Sequence, residues 1–467
     1  MFGLGETLTI VLILCIICAC AFEFINGFHD TANAVATVIY THSLPPVTAV
    51  IWSGIWNSIG VFFGGIAVAM SIVNLLPPET LINQEMAQNI SMILSLLFSA
   101  ILWNLGTWKM GLPVSSSHTM IGSILGVGIA FSLLQGNGLN AVNWDKAANI
   151  GLSLLISPLL GFGLTLMVML ILKRYVKDQD FFKAPKGKKP PRPLIRSLLV
   201  LSCTSVSYAH GSNDGQKGIG LMMLILISIA PFSFAIDRSK DIYQLERPTE
   251  LVLGKAMLLD DVRLNPIDRA IVDQVKAELF DLKQVFDRHR LEKSIPEGEF
   301  FNMRKDILFI SKHFSQLKKS GALKTLQKDD LKEADKAVGE MKKFTEYVPF
   351  WVVLIISLSL GLGTMIGWKR IVVTIGEKIG KEHLSYAQGA SAELVAASTI
   401  GLASISGLPV STTQVLSSGV AGSMVSSNGI KNLQAQTVRN IAIAWLLTLP
   451  VTALLSGGIY TLLRLFL

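Results

Sequence analysis

The sequence predicts an all-α polytopic membrane protein, with about 10–12 transmembrane segments in two inverted repeats, broken helices, re-entrant hairpins and a helical soluble insert. The first observation is composition: 51% of the 467 residues are hydrophobic and the mean hydropathy is +0.51. The second is that several apolar runs exceed the roughly 20 residues that span a bilayer. The third is that glycine-led polar motifs recur inside the apolar segments of both halves, as expected for related repeats.

Ten apolar segments can be drawn along the chain, five in each half. They cover residues 7–39, 47–73, 90–110, 113–134 and 149–172, and then 197–236, 348–368, 385–406, 409–428 and 437–466. The first and the sixth are too long for one straight crossing, and each contains a polar stretch. Both are therefore predicted to be broken helices that turn the freed backbone towards a cavity. Five segments per half is an odd number, so the second half is expected to enter the membrane upside down.

Charge separates the membrane repeats from two hydrophilic stretches. The predicted divisions are membrane repeat 1 at 1–172, a basic linker at 173–196, the start of membrane repeat 2 at 197–236, a charged insert at 237–346 and the rest of repeat 2 at 347–467. The linker holds nine Lys or Arg residues against two Asp, and 369–381 is also basic, so both are predicted to be cytoplasmic. The insert has 21 acidic and 22 basic residues and apolar positions at helical spacing, so it is predicted to be helical and periplasmic.

Two related polar motifs stand inside the first and sixth segments. Residues 27–34 read GFHDTANA and residues 211–218 read GSNDGQKG. Ionisable groups at this depth are costly and mark ion, proton or substrate pathways, although a carboxylate that satisfies a helix break is the alternative reading. The candidate coupling residues, for a cation or a proton, are Asp30, Asn33, Asn213, Asp214, Lys217, His29, Glu23 and Glu393. His118 and His210 also adjoin motifs, and a purely hydrogen-bonding role stays open for each histidine.

Two hydroxyl-rich turns begin the fourth and ninth segments. Residues 111–119 read GLPVSSSHT and residues 407–414 read GLPVSTTQ. Three hydroxyls at a helix start offer donors to a tetrahedral anion, together with the backbone N–H groups of the first helical turn. Helix capping and helix packing are the alternative readings. The candidate anion-binding residues are Ser115, Ser116, Ser117, Ser411, Thr412 and Thr413.

Taken together, the four motifs resemble the PiT family of inorganic phosphate transporters. The family's doubled signature is Gly-Ala-Asn-Asp-Val-Ala-Asn-Ala, which residues 27–34 match except at Phe28, His29 and Thr31. Residues 211–218 match at Gly211, Asn213 and Asp214. The resemblance covers both membrane halves but not the insert. It implies a multi-pass symporter of the bacterial inner (plasma) membrane, which is not an enzyme and needs no cofactor.

The resemblance also assigns roles by position. It places Asp30, Asn33 and Asp214 on the cation-coordinating sites, and the six hydroxyls of the two turns on the phosphate. Lys217 stands where the family repeats an Asn, and His29 replaces another Asn. A fixed ammonium would compete with sodium, and this pattern resembles the bacterial low-affinity, proton-coupled branch. Its cargo includes a neutral complex of phosphate with Mg²⁺ or another divalent cation, which Asp30 and Asp214 would bind.

Several alternatives stay open at this point. One is a sodium-coupled symporter of phosphate, arsenate or sulfate. Another is a membrane phosphotransferase or hydrolase with an aspartate nucleophile, although no nucleotide-binding loop accompanies the carboxylates. A third is a receptor centred on the insert. Composition argues against nucleic acid as a partner, since no basic cluster is interleaved with aromatic residues. The sequence leaves open whether the chain forms a homodimer.

Overall fold

The computed structural model describes residues 3–76, 86–136, 138–139, 141–185, 189–259, 264–292, 294–367 and 369–466. Within these ranges the chain is helical and contains no strand, which confirms the all-α fold. Three residues of the predicted basic linker, 186–188, lie outside the described residues. The chain divides into two compact units: Ile10–Ile225 with Val348–Leu467, and Leu226–Tyr347 with Met1–Thr9.

The described helices of more than four residues follow one another in chain order. They are α1 Glu6–Tyr40, α2 Pro46–Phe63, α3 Ala67–Val73, α4 Met86–Lys109, α5 Ser116–Leu134, α6 Trp144–Tyr175, α7 Pro193–His210, α8 Gln216–Ile229, α9 Glu246–Met257, α10 Pro266–His289, α11 Glu297–Ser320, α12 Lys328–Thr345, α13 Phe350–Thr364, α14 Lys369–Glu377, α15 Tyr386–Ile405, α16 Thr412–Asn428 and α17 Ala435–Leu463. A single π-helical turn, Gly211–Gly215, joins α7 to α8.

Six of the described helices are individually long and apolar enough to cross a membrane, namely α1, α2, α4, α5, α6 and α17. The number becomes seven if one bent helix pair is counted as a single span. These helices confirm the polytopic membrane class. The count of about 10–12 segments and the inverted arrangement of the repeats stay predictions.

Helix α1 corrects one expectation about the polar motifs. It continues without interruption through residues 27–34, so the predicted break there is wrong. Some of its polar groups bond within the helix or to a neighbour: Thr31 Oγ1 lies 2.6 Å from Gly27 O and 2.9 Å from the Thr364 carbonyl of α13. Among the described residues, Asn26 Oδ1 and Asn33 Oδ1 have no hydrogen-bond partner. The sixth segment is interrupted as predicted: its polar motif forms a π-helical turn, a feature often found at functional sites, and the helix breaks again at Ala230, before a short helix Pro231–Phe234.

Two helical hairpins carry the hydroxyl-rich turns. The first consists of α4 and α5, and the second of α15 and α16; the helices of each hairpin pack against each other. We call residues 111–117 tip 1 and residues 407–413 tip 2. Each tip begins with a glycine in the left-handed region, Gly111 at φ +69° and Gly407 at φ +67°, and a proline follows. These residues end the first helix and start the second on a new axis.

The unit that contains the charged insert is built from α9 to α12. Its apolar core joins residues from all four helices, including Val252, Leu279, Ile310 and Met341. The helices predicted around 269–291 and 307–317 are confirmed as α10 and α11. Arg304 is buried and donates to Thr345 O (2.7 Å), and also to Ala235 O (2.9 Å). This guanidinium therefore ties the residues just before the insert to its end. The periplasmic location stays a prediction.

Candidate functional site

The glycine that opens each polar motif allows a close helix contact. Gly27 of α1 packs on α13, where an added Cβ would lie 2.4 Å from Leu360 O. Gly211 packs on α2, where an added Cβ would lie 2.1 Å from Asn57 O. Real Cβ atoms do not approach carbonyl oxygens so closely, so any larger residue would push the helices apart. The two glycines thereby fix the depth of the aspartates that follow three residues later.

Asp30 is buried (1% exposed) and receives donors from three elements. Ser116 Oγ, in the first turn of α5, donates to Oδ2 across 3.1 Å. Asn33 Nδ2 donates to Oδ1 across 3.2 Å, and Thr413 Oγ1 at the start of α16 donates to the same oxygen. The two hairpins and α1 therefore converge on one carboxylate.

Asp214 is also buried, and it forms an ion pair with Lys217, three residues later in the same segment. Lys217 Nζ lies 2.6 Å from Oδ1 and also donates to Ser117 Oγ across 2.5 Å. Ser116 and Thr412 place their hydroxyls 3.5 and 3.4 Å from Oδ2. Lys217 is only 2% exposed. It is therefore a buried, paired cation and does not extend to the membrane surface.

His210 lies between the two carboxylates. Its Nε2 is 3.4 Å from Asp214 Oδ2 and 3.7 Å from Asp30 Oδ2. Its Nδ1 lies 3.0 Å from Asn57 Oδ1, while Asn57 Nδ2 donates to Thr364 Oγ1 across 2.9 Å. Because the Asn57 oxygen accepts, His210 carries a proton on Nδ1, and its Nε2 faces the carboxylates. That nitrogen can take up a second proton or bind a cation.

The six hydroxyls of the tips divide into two sets. Ser115 Oγ accepts from His118 N and Ser411 Oγ accepts from Gln414 N, both across 3.2 Å, so these two cap their helices. Their predicted contact with phosphate stays a prediction. The other four hydroxyls face the carboxylates or Lys217, and they are Ser116, Ser117, Thr412 and Thr413.

Tip 2 is held in place by side chains that bind its backbone carbonyls. The donors are Ser71 to Gly407 O (2.7 Å), Asn213 to Leu408 O (3.2 Å), Ser153 to Pro409 O (2.8 Å), and Ser117 (2.8 Å) and Lys217 (3.0 Å) to Val410 O. In tip 1, Thr374 Oγ1 donates to Gly111 O and Trp445 Nε1 to Pro113 O, each across 2.9 Å. We call Asp30, Asp214, His210 and Lys217 the carboxylate cluster. Ser117 and Lys217 thus connect tip 2 directly to this cluster.

Two predicted coupling residues lie at the edge of this cluster. Asn213 Oδ1 accepts from Val410 N (3.4 Å), so this residue positions tip 2 in the present conformation. His29 Nδ1 is 3.7 Å from Asp30 Oδ1, and its Nε2 is 3.5 Å from Thr107 Oγ1. The structure therefore brings His29 to the cluster but turns the Asn213 oxygen away from it.

The two remaining carboxyl groups have other hydrogen-bond partners, although the Glu23 carboxyl packs against Gly218, directly after Lys217. Glu23 and Glu393 are both fully buried (0% exposed). Glu23 Oε2 accepts from Asn26 Nδ2 across 3.3 Å, and Glu393 Oε2 accepts from Ser202 Oγ across 2.5 Å. Glu23 stands seven residues before Asp30 on α1, about 10 Å along the helix axis. Their coupling role stays a prediction.

Sequence reasoning named His210 only as a histidine beside the second motif, and it did not identify Asn57. His210 carried a weak signal, because it immediately precedes the second motif and stands one helical turn before Asp214. Asn57 carried none beyond being a polar residue in an apolar segment. Their contact joins positions that are 153 residues apart, and only the fold brings them together.

Comparison with known proteins gives a consistent result. The profile of the phosphate transporter family matches residues 26–456. A low-affinity inorganic phosphate transporter of Buchnera aphidicola subsp. Acyrthosiphon pisum is 42% identical and covers 94% of each chain. The low-affinity inorganic phosphate transporters PitB and PitA of Escherichia coli K12 are 39% and 38% identical, covering 98% of this chain and 97% and 98% of theirs.

A solved structure described as the sodium-dependent phosphate transporter shares the fold. It matches with a TM-score of 0.56 at 21% identity, over 98% of this chain and 100% of that one. The family and the relatives named above are transporters, so the alternative of a membrane phosphotransferase or hydrolase is wrong. The family match spans nearly the whole chain and agrees with the resemblance of the four motifs: the chain belongs to the phosphate transporter family.

Proposed function

We propose that this phosphate transporter imports inorganic phosphate across the bacterial inner membrane as a proton-coupled symporter. The observation that carries the proposal is that the second helix of each hairpin begins at the two buried carboxylates, Asp30 and Asp214. The ammonium of Lys217 lies beside them. Ser116 reaches Asp30 and Asp214, while Thr412 and Thr413 reach one carboxylate each. Rotation of these hydroxyls would redirect their donors to a phosphate held between the two helix N-termini.

Charge balance favours protons as the coupling ion. Two carboxylates and Lys217 leave the buried cluster with one net negative charge, and phosphate adds more. Burying that excess without compensation is costly. A proton on His210 Nε2, between the carboxylates, cancels the one net negative charge of the cluster itself, so that only the charge of the phosphate is left. Lys217 already occupies the side of Asp214 that a sodium ion would need, at 2.6 Å from Oδ1.

When His210 Nε2 carries no proton, the same atoms offer a site for a divalent cation carried together with phosphate. Asp30, His210 and Asp214 each present a ligand atom, and these atoms lie within 4.8 Å of one another. Carboxylate oxygens suit Mg²⁺, and an imidazole nitrogen extends the set to transition metals such as Mn²⁺ or Zn²⁺. A divalent cation would neutralise the cargo, so the cluster supports the import of a neutral metal–phosphate complex. The phosphate oxygens would complete its coordination.

The phosphate site is tested by removing one hydroxyl from each hairpin. Ser116→Ala and Thr412→Ala should each weaken phosphate binding about ten- to a hundredfold, since losing one donor to a charged ligand costs roughly 1.5–3 kcal/mol. Equilibrium binding of radiolabelled phosphate to purified protein measures this. Ser123→Ala is the matched control, because Ser123 is a buried hydroxyl of the same helix that bonds Thr119 O, away from the carboxylates. Wild-type affinity in both tip variants would place the phosphate elsewhere.

A further inference from the structure

A large cavity lies beside tip 1, outside the carboxylate cluster. Its volume is about 920 Å³, and it is lined by the end of α4, tip 1, α14 and the start of α17. Lys109, Lys369 and Lys378 line it, and no acidic residue is among its lining residues in the part of the chain that the structure describes. Thr437 and Asn440 add polar groups. The cavity is therefore a basic chamber that suits an oxyanion.

Only a thin wall separates this chamber from the cluster. Trp108 and Gly367 line the cavity, and Trp108 Nε1 donates to Gly367 O across 3.1 Å. Phe28 supports the wall, with its ring centroid 5.0 Å from that of Trp108. On the side of the wall that faces the cluster lie the sequence neighbours of Phe28 and Trp108, namely His29 and Thr107. His29 Nε2 and Thr107 Oγ1 are 3.5 Å apart.

The chamber also adjoins the hairpin tip that presents phosphate-binding hydroxyls. Gly111 and Leu112 of tip 1 line the cavity, and Ser116 follows them at the start of α5. A movement of tip 1 would therefore be enough to bring an anion in the chamber to Ser116. Tip 2, by contrast, has four successive carbonyls bound by side chains.

We propose that this cavity is a phosphate-binding vestibule, in which Lys109, Lys369 and Lys378 hold inorganic phosphate on its way between the aqueous phase and the buried site. The contact of Trp108 with Gly367 and Phe28 closes the vestibule towards the cluster. The basic stretch 369–381 is predicted to be cytoplasmic, so the vestibule is the release chamber of the import cycle. This inference rests on the proposed phosphate site, and its test separates the two.

The first measurement detects phosphate in the vestibule directly. Thr437→Cys introduces a thiol into the lining, and its reaction rate with an uncharged thiol reagent is followed in purified protein in vesicles of neutral lipid. None of the four native cysteines lines the cavity, and the parent protein gives their background rate. Millimolar inorganic phosphate should slow the reaction severalfold, also when Ser116→Ala weakens the buried site. The reference is the reaction rate in a chloride solution of equal ionic strength that contains neither phosphate nor sulfate.

The second measurement removes the charges. The triple variant K109Q/K369Q/K378Q should lose the protection of Thr437→Cys. When phosphate is supplied on the side of the membrane where the cavity opens, the half-saturating phosphate concentration for transport should rise about tenfold at low salt. Electrostatic focusing of a charged ligand in a cleft has effects of about this size. Half-saturation from the opposite side should stay unchanged. The matched control, K381Q/K431Q/R439Q, removes three exposed charges that do not line the cavity and should behave like wild type.

The outcomes distinguish the vestibule from the alternatives. Protection that survives the triple lysine change but disappears with Ser116→Ala would assign the phosphate to the buried site and overturn the vestibule. An effect of the lysine changes only in vesicles with anionic phosphatidylglycerol would assign the lysines to lipid headgroups and also overturn it. Unchanged half-saturation from both sides, in a triple variant that still binds phosphate, would contradict it as well.

Discussion

Lys217→Met should abolish phosphate uptake and destabilise the protein, because it leaves the buried Asp214 carboxylate without its cation. Lys217 Nζ makes three short contacts, to Asp214, Ser117 and Val410 O, at 2.6, 2.5 and 3.0 Å. Removing one partner of a buried ion pair typically costs about 3–5 kcal/mol. We expect uptake at least about a hundredfold below wild type, since 1.4 kcal/mol corresponds to roughly tenfold. Proteoliposome uptake and thermal unfolding in detergent measure the two effects.

Two further variants separate stability from coupling. Asp214→Asn combined with Lys217→Met removes both charges, so it should recover part of the stability but not the transport. Lys217→Asn restores the residue that stands three positions after Asp30 in the first motif. It should retain more uptake, weaken the pH dependence and admit sodium. A Lys217→Met carrier with wild-type uptake and pH dependence would remove this lysine from the mechanism. Lys431→Met, at an exposed position, is the control.

Asp30→Asn should reduce uptake by at least about a hundredfold with a smaller loss of stability. The carboxylate accepts from Ser116, Thr413 and Asn33, and an amide replaces one acceptor oxygen by a donor. Each charge-assisted bond lost costs roughly 1.5–3 kcal/mol. The change also removes the negative charge that faces His210 Nε2 at 3.7 Å.

The measurement is initial uptake of radiolabelled phosphate in proteoliposomes at saturating proton gradient. Asp145→Asn is the matched control, because Asp145 is exposed in the first turn of α6. Its uptake should equal that of wild type. If Asp30→Asn retained more than half of the wild-type rate, the carboxylate would have no direct role in transport.

The duplicated motifs made most of the site predictable from the sequence. A motif that recurs in two apolar segments, around Asp30 and Asp214, pointed to one shared site. The repeated Gly-Leu-Pro-Val turns supplied Ser116 and Thr412. In the structure these four side chains meet within hydrogen-bonding distance. The sequence was enough to find these residues because each motif combines a glycine or proline with polar side chains inside an apolar segment. Such polar side chains cannot face lipid.

The parts that sequence reasoning missed depend on contacts between distant segments. The predicted break in α1 assumed that its polar residues would interrupt the helix, yet the helix continues, and Thr364 O and Thr413 bind two of these residues, Thr31 and Asp30. Asn57 and His210 meet only because Gly211 lets α2 approach. The basic cavity was equally hidden, since Lys109 lies far in the sequence from Lys369 and Lys378, and only the fold brings them to one cavity.

The most direct test of the central claim is uptake of phosphate into proteoliposomes with the proton gradient, the sodium gradient and Mg²⁺ varied separately. The account predicts that an inward proton gradient drives phosphate accumulation without sodium, that a sodium gradient alone drives none, and that Mg²⁺ increases the proton-driven rate. Accumulation driven by a sodium gradient at equal pH on both sides would contradict it, because Lys217 would then not exclude sodium from the side of Asp214.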